Sequence, residues 1–173
     1  MTKALFFDID GTLVSFETHA IPASTIEALT IAHEKGIKIF IATGRPKAII
    51  NNLADIQDRG LIDGYITMNG AYCFVGDEVI YKSAIPAGDV RALAQVCEQK
   101  GYPCIFVGEH TISVCQPNKL VHDIFYDFLH VDEIPVKTFE EAVQEEIFQM
   151  TPFVTVEEET EIQPQIPNCE SGR

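Results

Sequence analysis

Two aspartates, Asp8 and Asp10, follow directly on a short apolar run near the N-terminus. The run, residues 4–7, predicts a buried strand of a parallel sheet. Unpaired carboxylates are costly to bury, and ligands of open α/β sheets bind at the carboxyl ends of the strands. We therefore expect both acids to face a cation and an anionic ligand. The alternative is that they only shape a turn into Gly11, which is the usual role of an Asp-Gly pair.

A second polar group follows the next predicted strand. Residues 37–42 form an apolar run, and Thr43, Gly44 and Arg45 come directly after it. A helix is predicted over residues 46–59, because apolar residues recur there at helical spacing. The N-terminus of that helix would offer free N–H groups and the positive end of its dipole to an anion. The alternative is that Thr43 serves only as a helix cap.

A third predicted strand, residues 64–68, ends at Asn69 and Gly70. An Asn-Gly pair is a strong signal for a two-residue hairpin turn, so a strand is predicted over residues 71–75. A second tight turn leads to another strand over residues 79–81. Turn geometry is therefore one explanation of Asn69.

The segment between the first two strands predicts a helix over residues 22–35, with Ser24 as its cap and Gly36 at its end. A strand, a helix and a strand in close succession form a βαβ unit. We therefore expect the first two strands to be parallel members of one sheet.

After residue 83 the pattern changes. Helices are predicted over residues 86–100 and 117–129, and strands over residues 104–107 and 111–115 form a hairpin. The inward face predicted for the second of these helices consists of Leu120, Ile124 and Phe128. Hairpins placed among helices indicate a separate α+β layer.

Composition indicates which partners and which cellular compartment to expect. The 173 residues carry a net charge of −14, and 46% are hydrophobic. Because an acidic chain is repelled by nucleic acids and anionic membranes, we expect neither as a partner. Five cysteines without CxxC spacing predict reduced, mostly buried thiols. Neither a signal peptide nor a membrane span is evident, so we expect a cytoplasmic location.

Two strings in the sequence resemble motifs of one family. FFDIDGTL resembles the DxDGT nucleophile motif of the haloacid dehalogenase-like phosphatases, and ATGRP resembles their second motif. The chain is similar to the Cof-type branch of that family, which carries a large cap inserted after the first half of the core. This resemblance implies an α/β fold with a Rossmann-like parallel-sheet core. Residues 1–83 would form the N-terminal half of that core, and residues 84–173 an incomplete α+β cap.

The resemblance also implies catalytic roles for the two aspartates. Asp8 would attack phosphorus and form an aspartyl-phosphate. Asp10 would protonate the leaving alcohol and then activate water. The turn at Gly11 would let backbone N–H groups approach the phosphate.

Four further residues are implied in substrate binding. Thr43 and the N–H of Gly44 would bind the transferring phosphoryl group. Arg45 would orient the substrate, although a capping or solvent-facing role is an open alternative. Asn69, which follows the third strand, would lie at the edge of the substrate.

A divalent cation is expected beside Asp8. A carboxylate that attacks a phosphate dianion at about 4 Å is repelled by roughly 8 kcal/mol at an effective dielectric constant of about 20. Mg²⁺ suits an all-oxygen site completed by water and phosphate. In the family, the first aspartate and the backbone carbonyl of the second bind the metal, which implies Asp8 and Asp10 here.

These features predict a Mg²⁺-dependent phosphatase of small phosphorylated metabolites, sugar phosphates in particular. Two alternatives stay open. One is a phosphotransferase or mutase of the same superfamily, and the other is a non-catalytic module that binds phosphorylated ligands.

The family's motif lysine and its later acidic motif have no counterpart in the 173 residues. We therefore expect a truncated chain with weak Mg²⁺ affinity and low turnover. We also expect the parallel sheet to have an uncovered apolar face, through which the chain self-associates.

Overall fold

The computed structural model describes residues 3–131 and 133–166. The chain divides into two compact units, Met1–Ser83 and Ala84–Arg173, and each has its own sheet and hydrophobic core. The division falls where the sequence changes from parallel-strand to hairpin patterns. The assignment of the two units as half of a core and part of a cap remains a prediction.

The first unit is built on a five-stranded sheet whose strands lie in chain order. These strands are β1 (Ala4–Phe7), β2 (Lys38–Ala42), β3 (Gly64–Thr67), β4 (Tyr72–Val75) and β5 (Glu78–Lys82). β1, β2 and β3 are parallel to one another, β4 is antiparallel to β3, and β5 is antiparallel to β4. Helix α1 (Ala23–Glu34) connects β1 to β2, which confirms the predicted βαβ unit. Ser24 does not cap this helix, which follows Pro22 without a side-chain cap.

One face of this sheet is covered. Ile39 and Ile41 of β2 are fully buried and belong to one apolar cluster with Leu29 of α1. Helix α2 (Ala54–Gln57) contributes Ile56 to the same cluster. Alternation along β2 thus directs its isoleucines into the core.

β1 is the exception to the predicted burial. It lies at the edge of the sheet, and its burial pattern is mostly exposed, so the prediction of a buried strand is wrong. Phe6 is 58% exposed and stacks on Phe40 with ring centroids 5.0 Å apart. An apolar run shows that a strand is suited to burial, but it does not show whether its outer face is covered. The expected uncovered apolar face is present at β1.

Asp63 joins the start of β3 to β2. Its carboxylate accepts hydrogen bonds from Lys38 Nζ (2.5 Å) and from the Ile39 N–H (2.9 Å). Burial alone would raise the pKa of Asp63, but these two hydrogen bonds, together with the nearby charges of Lys38 and His33, lower the pKa below its usual value of 3.8. A carboxyl whose pKa is lower in the folded state stabilises the fold above its ordinary pKa, and this stability is lost as pH falls through the folded value.

We therefore predict that Asp63→Asn lowers the free energy of unfolding of the first unit at pH 7 by about 1–2 kcal/mol. The difference from the unmodified chain should shrink once the pH falls below the ordinary pKa of 3.8, and it should vanish when the carboxyl group is protonated in the folded state as well. Hydrogen exchange of the β2 amides across this pH range measures it, with the exposed Asp58→Asn as control. A difference that persists unchanged at low pH would contradict the charged hydrogen bonds.

The second unit combines helices with a three-stranded antiparallel sheet of order β7-β6-β8. Its elements are α3 (Ala87–Lys100), β6 (Cys104–Gly108), β7 (Ile112–Cys115), α4 (Lys119–His122), a π-helix (Asp123–Phe128), α5 (Phe139–Ala142), β8 (Ile147–Pro152) and α6 (Val156–Ile162). Every residue of the central strand β6 is buried. The predicted α+β layer is therefore observed.

The face predicted for the helix near residue 120 is wrong. Leu120 and Phe128 are exposed, and the buried residues are Val121 and Phe125. The chain changes from α-helix to π-helix at Asp123, so a 3.6-residue period does not describe the buried side.

The thiols behave as structural residues. Cys97, Cys104 and Cys115 are fully buried in one apolar cluster, and Cys73 is half-buried. Burial raises the pKa of Cys115 to about 11, which keeps that thiol protonated at neutral pH. Cys169, also predicted to be buried, lies outside the described residues. No helix within the described part of the chain has the length and apolar character needed to cross a bilayer.

Candidate active site

The loop after β1 carries both aspartates in a tight hydrogen-bonded turn. The Leu13 N–H donates to the Asp8 carbonyl (3.3 Å), and the Gly11 N–H donates to the Val14 carbonyl (2.9 Å). Asp8 is exposed and Asp10 is half-buried. The amide of Gly11 is therefore used inside the loop, so any phosphate contact there must come from other groups.

Gly11 has a structural requirement of its own. Its φ is +77°, and an added Cβ would lie 2.5 Å from a ring carbon of Phe16. Gly36 has nearly the same φ, +75°, with nothing within 4 Å of an added Cβ. Alanine variants at the two positions therefore distinguish the cost of backbone strain, which both share, from the cost of steric contact, which only Gly11 has.

We predict that Gly36→Ala costs about 1 kcal/mol of stability, because alanine is strained at positive φ. Gly11→Ala should cost at most about 0.5 kcal/mol more, since the Phe16 ring must also move away but is 56% exposed and can turn toward solvent. Adding Phe16→Ala to Gly11→Ala should remove that excess. Hydrogen exchange of the first unit measures all three variants, and equal costs at Gly11 and Gly36 would show that the ring contact is unimportant.

The loop after β2 differs from its prediction. Pro46 has extended backbone angles (φ −72°, ψ 155°), and a 3₁₀ turn, Lys47–Ile49, follows it. The single helix predicted over residues 46–59 is therefore wrong, and α2 (Ala54–Gln57) is the only α-helical piece of that range. Thr43 does not cap a helix; its Oγ1 accepts the N–H of Arg45 at 3.1 Å. No α-helix begins directly after β2, so the predicted α-helix N-terminus is not available to bind an anion at this position.

Arg45 binds Asp10 through two hydrogen bonds. Its Nε donates to Oδ2 at 2.8 Å, and its Nη2 donates to Oδ1 at 2.7 Å. Its Nη1 also donates to the Ile49 carbonyl at 3.2 Å. The side chain of Arg45 is only 9% exposed and that of Asp10 is 31% exposed. Arg45 is thus not solvent-facing, and it links the ends of β1 and β2.

Asn69 connects the end of β3 to the same group. Its N–H donates to the Thr43 carbonyl (3.3 Å), and an added Cβ on Gly44 would lie 3.0 Å from its Oδ1. Asn69 is in the left-handed region (φ 54°, ψ 32°), which confirms its role as a turn residue. The turn is longer than two residues, because Thr67 pairs directly with Tyr72. Met68 also takes a positive φ, which the Asn-Gly signal alone does not predict.

The structure therefore links the residues predicted at three strand ends. Asp10 is bound to Arg45, whose N–H donates to Thr43. The Asn69 N–H donates to the Thr43 carbonyl, and the Asn69 side-chain oxygen lies beside Gly44. Asp8 is at the end of β1 in the same turn as Asp10. Sequence reasoning missed the pairing of Arg45 with Asp10 and the Ile49 carbonyl that helps to hold the guanidinium. Opposite charges at two adjacent parallel strand ends were the signal that could have found the pair.

A different set of side chains comes together as a group of three potential metal ligands. Within the described residues, His122, Asp123 and Asp127 place their ligand atoms within 4.8 Å of one another. These residues belong to the second unit and are mostly exposed, and Lys119 pairs with Asp123 at 2.5 Å. Exposure and an existing ion pair make this a solvated surface cluster.

Comparison with known proteins identifies the family. The profile of the haloacid dehalogenase-like hydrolases matches residues 5–171. The chain belongs to this family. The solved structure of the HAD subclass IIB sugar phosphatase BT4131 is 74% identical to it with a TM-score of 0.93, and the match covers 99% of this chain and 66% of that protein. The α/β fold is thus that of haloacid dehalogenase-like hydrolases.

Two more distant relatives agree with this membership. BT1666, a phosphatase of the same superfamily from Bacteroides thetaiotaomicron, is 32% identical with a TM-score of 0.82, over 100% of this chain and 63% of that protein. "Putative phosphatase YkrA" from Bacillus subtilis (strain 168) is 29% identical over 91% of this chain and 60% of its own length. The chain thus spans about 60–66% of the length of these relatives.

Proposed function

We propose that this haloacid dehalogenase-like chain carries the nucleophile half of a Mg²⁺-dependent phosphatase site for small phosphorylated metabolites. Sugar phosphates are the proposed substrate class, because the relative that is 74% identical is named a sugar phosphatase. A cytoplasmic location, without nucleic acid or membrane partners, is part of the same proposal. The observation that carries it is the pairing of Arg45 with Asp10, which joins two strand ends at the carboxyl edge of the parallel sheet.

In this proposal Asp8 is the nucleophile. Its carboxylate is exposed at the end of β1, where it can reach the phosphorus atom of a substrate that binds from solution. Attack forms a bond from a carboxylate oxygen to phosphorus as the bond to the leaving alcohol oxygen breaks. Water then hydrolyses the aspartyl-phosphate and restores the carboxylate.

Asp10 exchanges the proton in both steps. It gives a proton to the leaving alcohol and later takes one from the attacking water. Arg45 positions this carboxylate through a planar pair of hydrogen bonds.

The donor set at the end of β1 fits Mg²⁺ in type. The Asp8 carboxylate and the Asp10 backbone carbonyl would hold the ion, since both Asp10 carboxylate oxygens already accept hydrogen bonds from Arg45. When bound, Mg²⁺ supplies the positive charge that offsets repulsion between Asp8 and the phosphate dianion. Two protein oxygens are few for an octahedral ion, so we expect millimolar affinity for this chain.

The proposed binding residues are linked to Asp10 through Arg45. Thr43 and Gly44 lie between Arg45 and Asn69 in the linked strand ends. We propose that the Gly44 N–H contacts the phosphoryl group and that Asn69 contacts the edge of the substrate. Gly11 contributes by shaping the turn, because its own N–H is already bonded to Val14.

Hydrolysis of an aryl phosphate tests this proposal. With saturating Mg²⁺, we expect slow turnover by the chain that falls at least a hundredfold in Asp8→Asn. Asp55→Asn, at an exposed position outside the site, is the matched control and should keep the activity. Equal rates for the chain and Asp8→Asn would overturn the role of Asp8 as nucleophile.

Further outcomes separate the alternatives. Mg²⁺-dependent phosphate binding without any hydrolysis would favour a non-catalytic phospholigand module. Transfer of the phosphoryl group to an added sugar would favour a phosphotransferase or mutase. Turnover at ordinary enzyme rates, at or above about 1 s⁻¹, would support the phosphatase and contradict the low turnover expected for this chain.

A further inference from the structure

Phe16 is an exposed aromatic residue in the loop that follows the two aspartates of the site. Its side chain is 56% exposed, whereas Val14 and Ile21, the apolar residues on either side of it in the sequence, are buried. A single exposed apolar side chain on a protein surface is usual and needs no explanation. Phe16 differs because backbone contacts hold its loop against the turn that carries both acids.

The loop is fixed at its start and closed on itself. An isolated parallel bridge pairs Val14 with Asp10, and the Gly11 N–H donates to the Val14 carbonyl at 2.9 Å. The Ser15 N–H then donates to the Ala20 carbonyl at 3.2 Å, which closes the loop around the aromatic residue. The ring therefore projects from a position two residues beyond a fixed contact with the acid-bearing turn.

The ring of Phe16 lies over Gly11. An added Cβ on Gly11 would lie 2.5, 3.2 and 3.3 Å from three of the ring carbons, so the absence of a side chain there allows the ring to approach the backbone closely. Gly11 directly follows Asp10, and the carboxylate of Asp8 is exposed in the same turn. The turn and its loop thus present both a carboxylate and an apolar ring to solvent.

We propose that Phe16 contacts the leaving group of the substrate and makes the site prefer phosphates carried on a ring that has an apolar face. This inference rests on the proposed function, in which Asp8 faces phosphorus. A phosphoryl group is polar on every side, whereas a sugar or aryl leaving group has a face of ring carbons. Ligand sites commonly combine a few polar groups, which fix orientation, with aromatic side chains that supply contact area. The ring is uncharged, so it adds no repulsion of an anionic substrate in a chain of net charge −14.

Two phosphonates that cannot be hydrolysed test this inference. Phenylphosphonate and methylphosphonate share the anionic group and differ only in the substituent that Phe16 would contact. In NMR titrations with saturating Mg²⁺, the unmodified chain should bind phenylphosphonate about three- to tenfold more tightly, as expected for one aromatic contact. Phe16→Ala should abolish this preference and leave the affinity for methylphosphonate within about twofold. Phe16→Tyr keeps the ring and should keep the preference.

Tyr81→Ala is the matched control. Tyr81 is 55% exposed in β5, outside the loop that carries the aspartates, and its loss should leave the preference unchanged. Equal binding of the two phosphonates by the unmodified chain would overturn the contact with Phe16, and so would a preference that survives in Phe16→Ala. A similar loss of affinity for both phosphonates in Phe16→Ala would show that the ring only supports the turn.

These results are distinguishable from a failure of the proposed function. If both phosphonates bind without a preference, the phosphate site stands and only the role of Phe16 is wrong. If neither phosphonate binds in the presence of Mg²⁺, the phosphate site and the contact with Phe16 are both wrong. The effect of Asp8→Asn on hydrolysis is measured separately and does not depend on which leaving group the site prefers.

Discussion

Asp10→Asn is expected to lower the free energy of unfolding of the first unit by about 2 kcal/mol. The change keeps the shape of the side chain but removes the charge that faces the guanidinium of Arg45. Arg45 is almost fully buried, so its charge cannot be hydrated without a rearrangement of the loop. Removing one partner of a buried ion pair costs about 3–5 kcal/mol, and the partial exposure of Asp10 reduces the expected value.

The reverse change should cost less. Arg45→Met leaves Asp10, which is 31% exposed, able to take up water in place of the guanidinium. The methionine also fills the buried space of the arginine with a side chain of similar length. We therefore expect a loss of about 1 kcal/mol, and the asymmetry between the two variants follows from the difference in burial.

Asp8→Asn is the matched control for Asp10→Asn. Asp8 is exposed in the same turn, so its loss of charge should change stability by less than about 0.5 kcal/mol. Native-state hydrogen exchange of the β2 and β3 amides would measure all three variants. Equal costs for Asp8→Asn and Asp10→Asn would show that the pairing with Arg45 does not stabilise this loop. If Asp10→Asn stabilises the chain, the ion pair is a net cost that is kept for another reason.

The sequence predicts the strands of the first unit well, because each is a short apolar run followed by turn residues. It identifies Asp8, Asp10, Thr43 and Asn69 as residues at strand ends. The structure links Asp10 to Thr43 through Arg45, and Thr43 in turn to Asn69.

The failed predictions share a physical cause. Ile49, Leu53 and Ile56 recur at helical spacing and are all buried, yet a 3₁₀ turn and a separate short helix bury them. The backbone is extended at Pro46, next to the point where Arg45 turns toward Asp10. Periodicity reports which side chains need burial, whereas the backbone path there follows contacts between distant residues. The exposed β1 has the same explanation, since coverage depends on elements that a local pattern does not include.

Gly64→Ala is the second change with a large expected effect. Gly64 begins β3, between β2 and β4. An added Cβ would lie 2.8 Å from the Phe74 carbonyl oxygen, 2.9 Å from a ring carbon of Phe40 and 2.9 Å from a methyl of Val75. Side chains can move aside, but a backbone carbonyl in the adjacent strand moves only if the strand pairing changes. We expect a loss of about 2–3 kcal/mol, in the range of overpacked interiors.

A double variant separates the two kinds of contact. Phe40→Leu removes the ring carbon that meets the new methyl group, so it should recover about 1 kcal/mol of the loss caused by Gly64→Ala. The remainder should persist, because the contact with the Phe74 carbonyl is unchanged. β3 leads into Asn69, so the β3 amides and the Asn69 turn should lose hydrogen-exchange protection together, whereas β6 in the second unit should not. Full recovery in the double variant would show that crowding by the ring alone makes glycine necessary at this position.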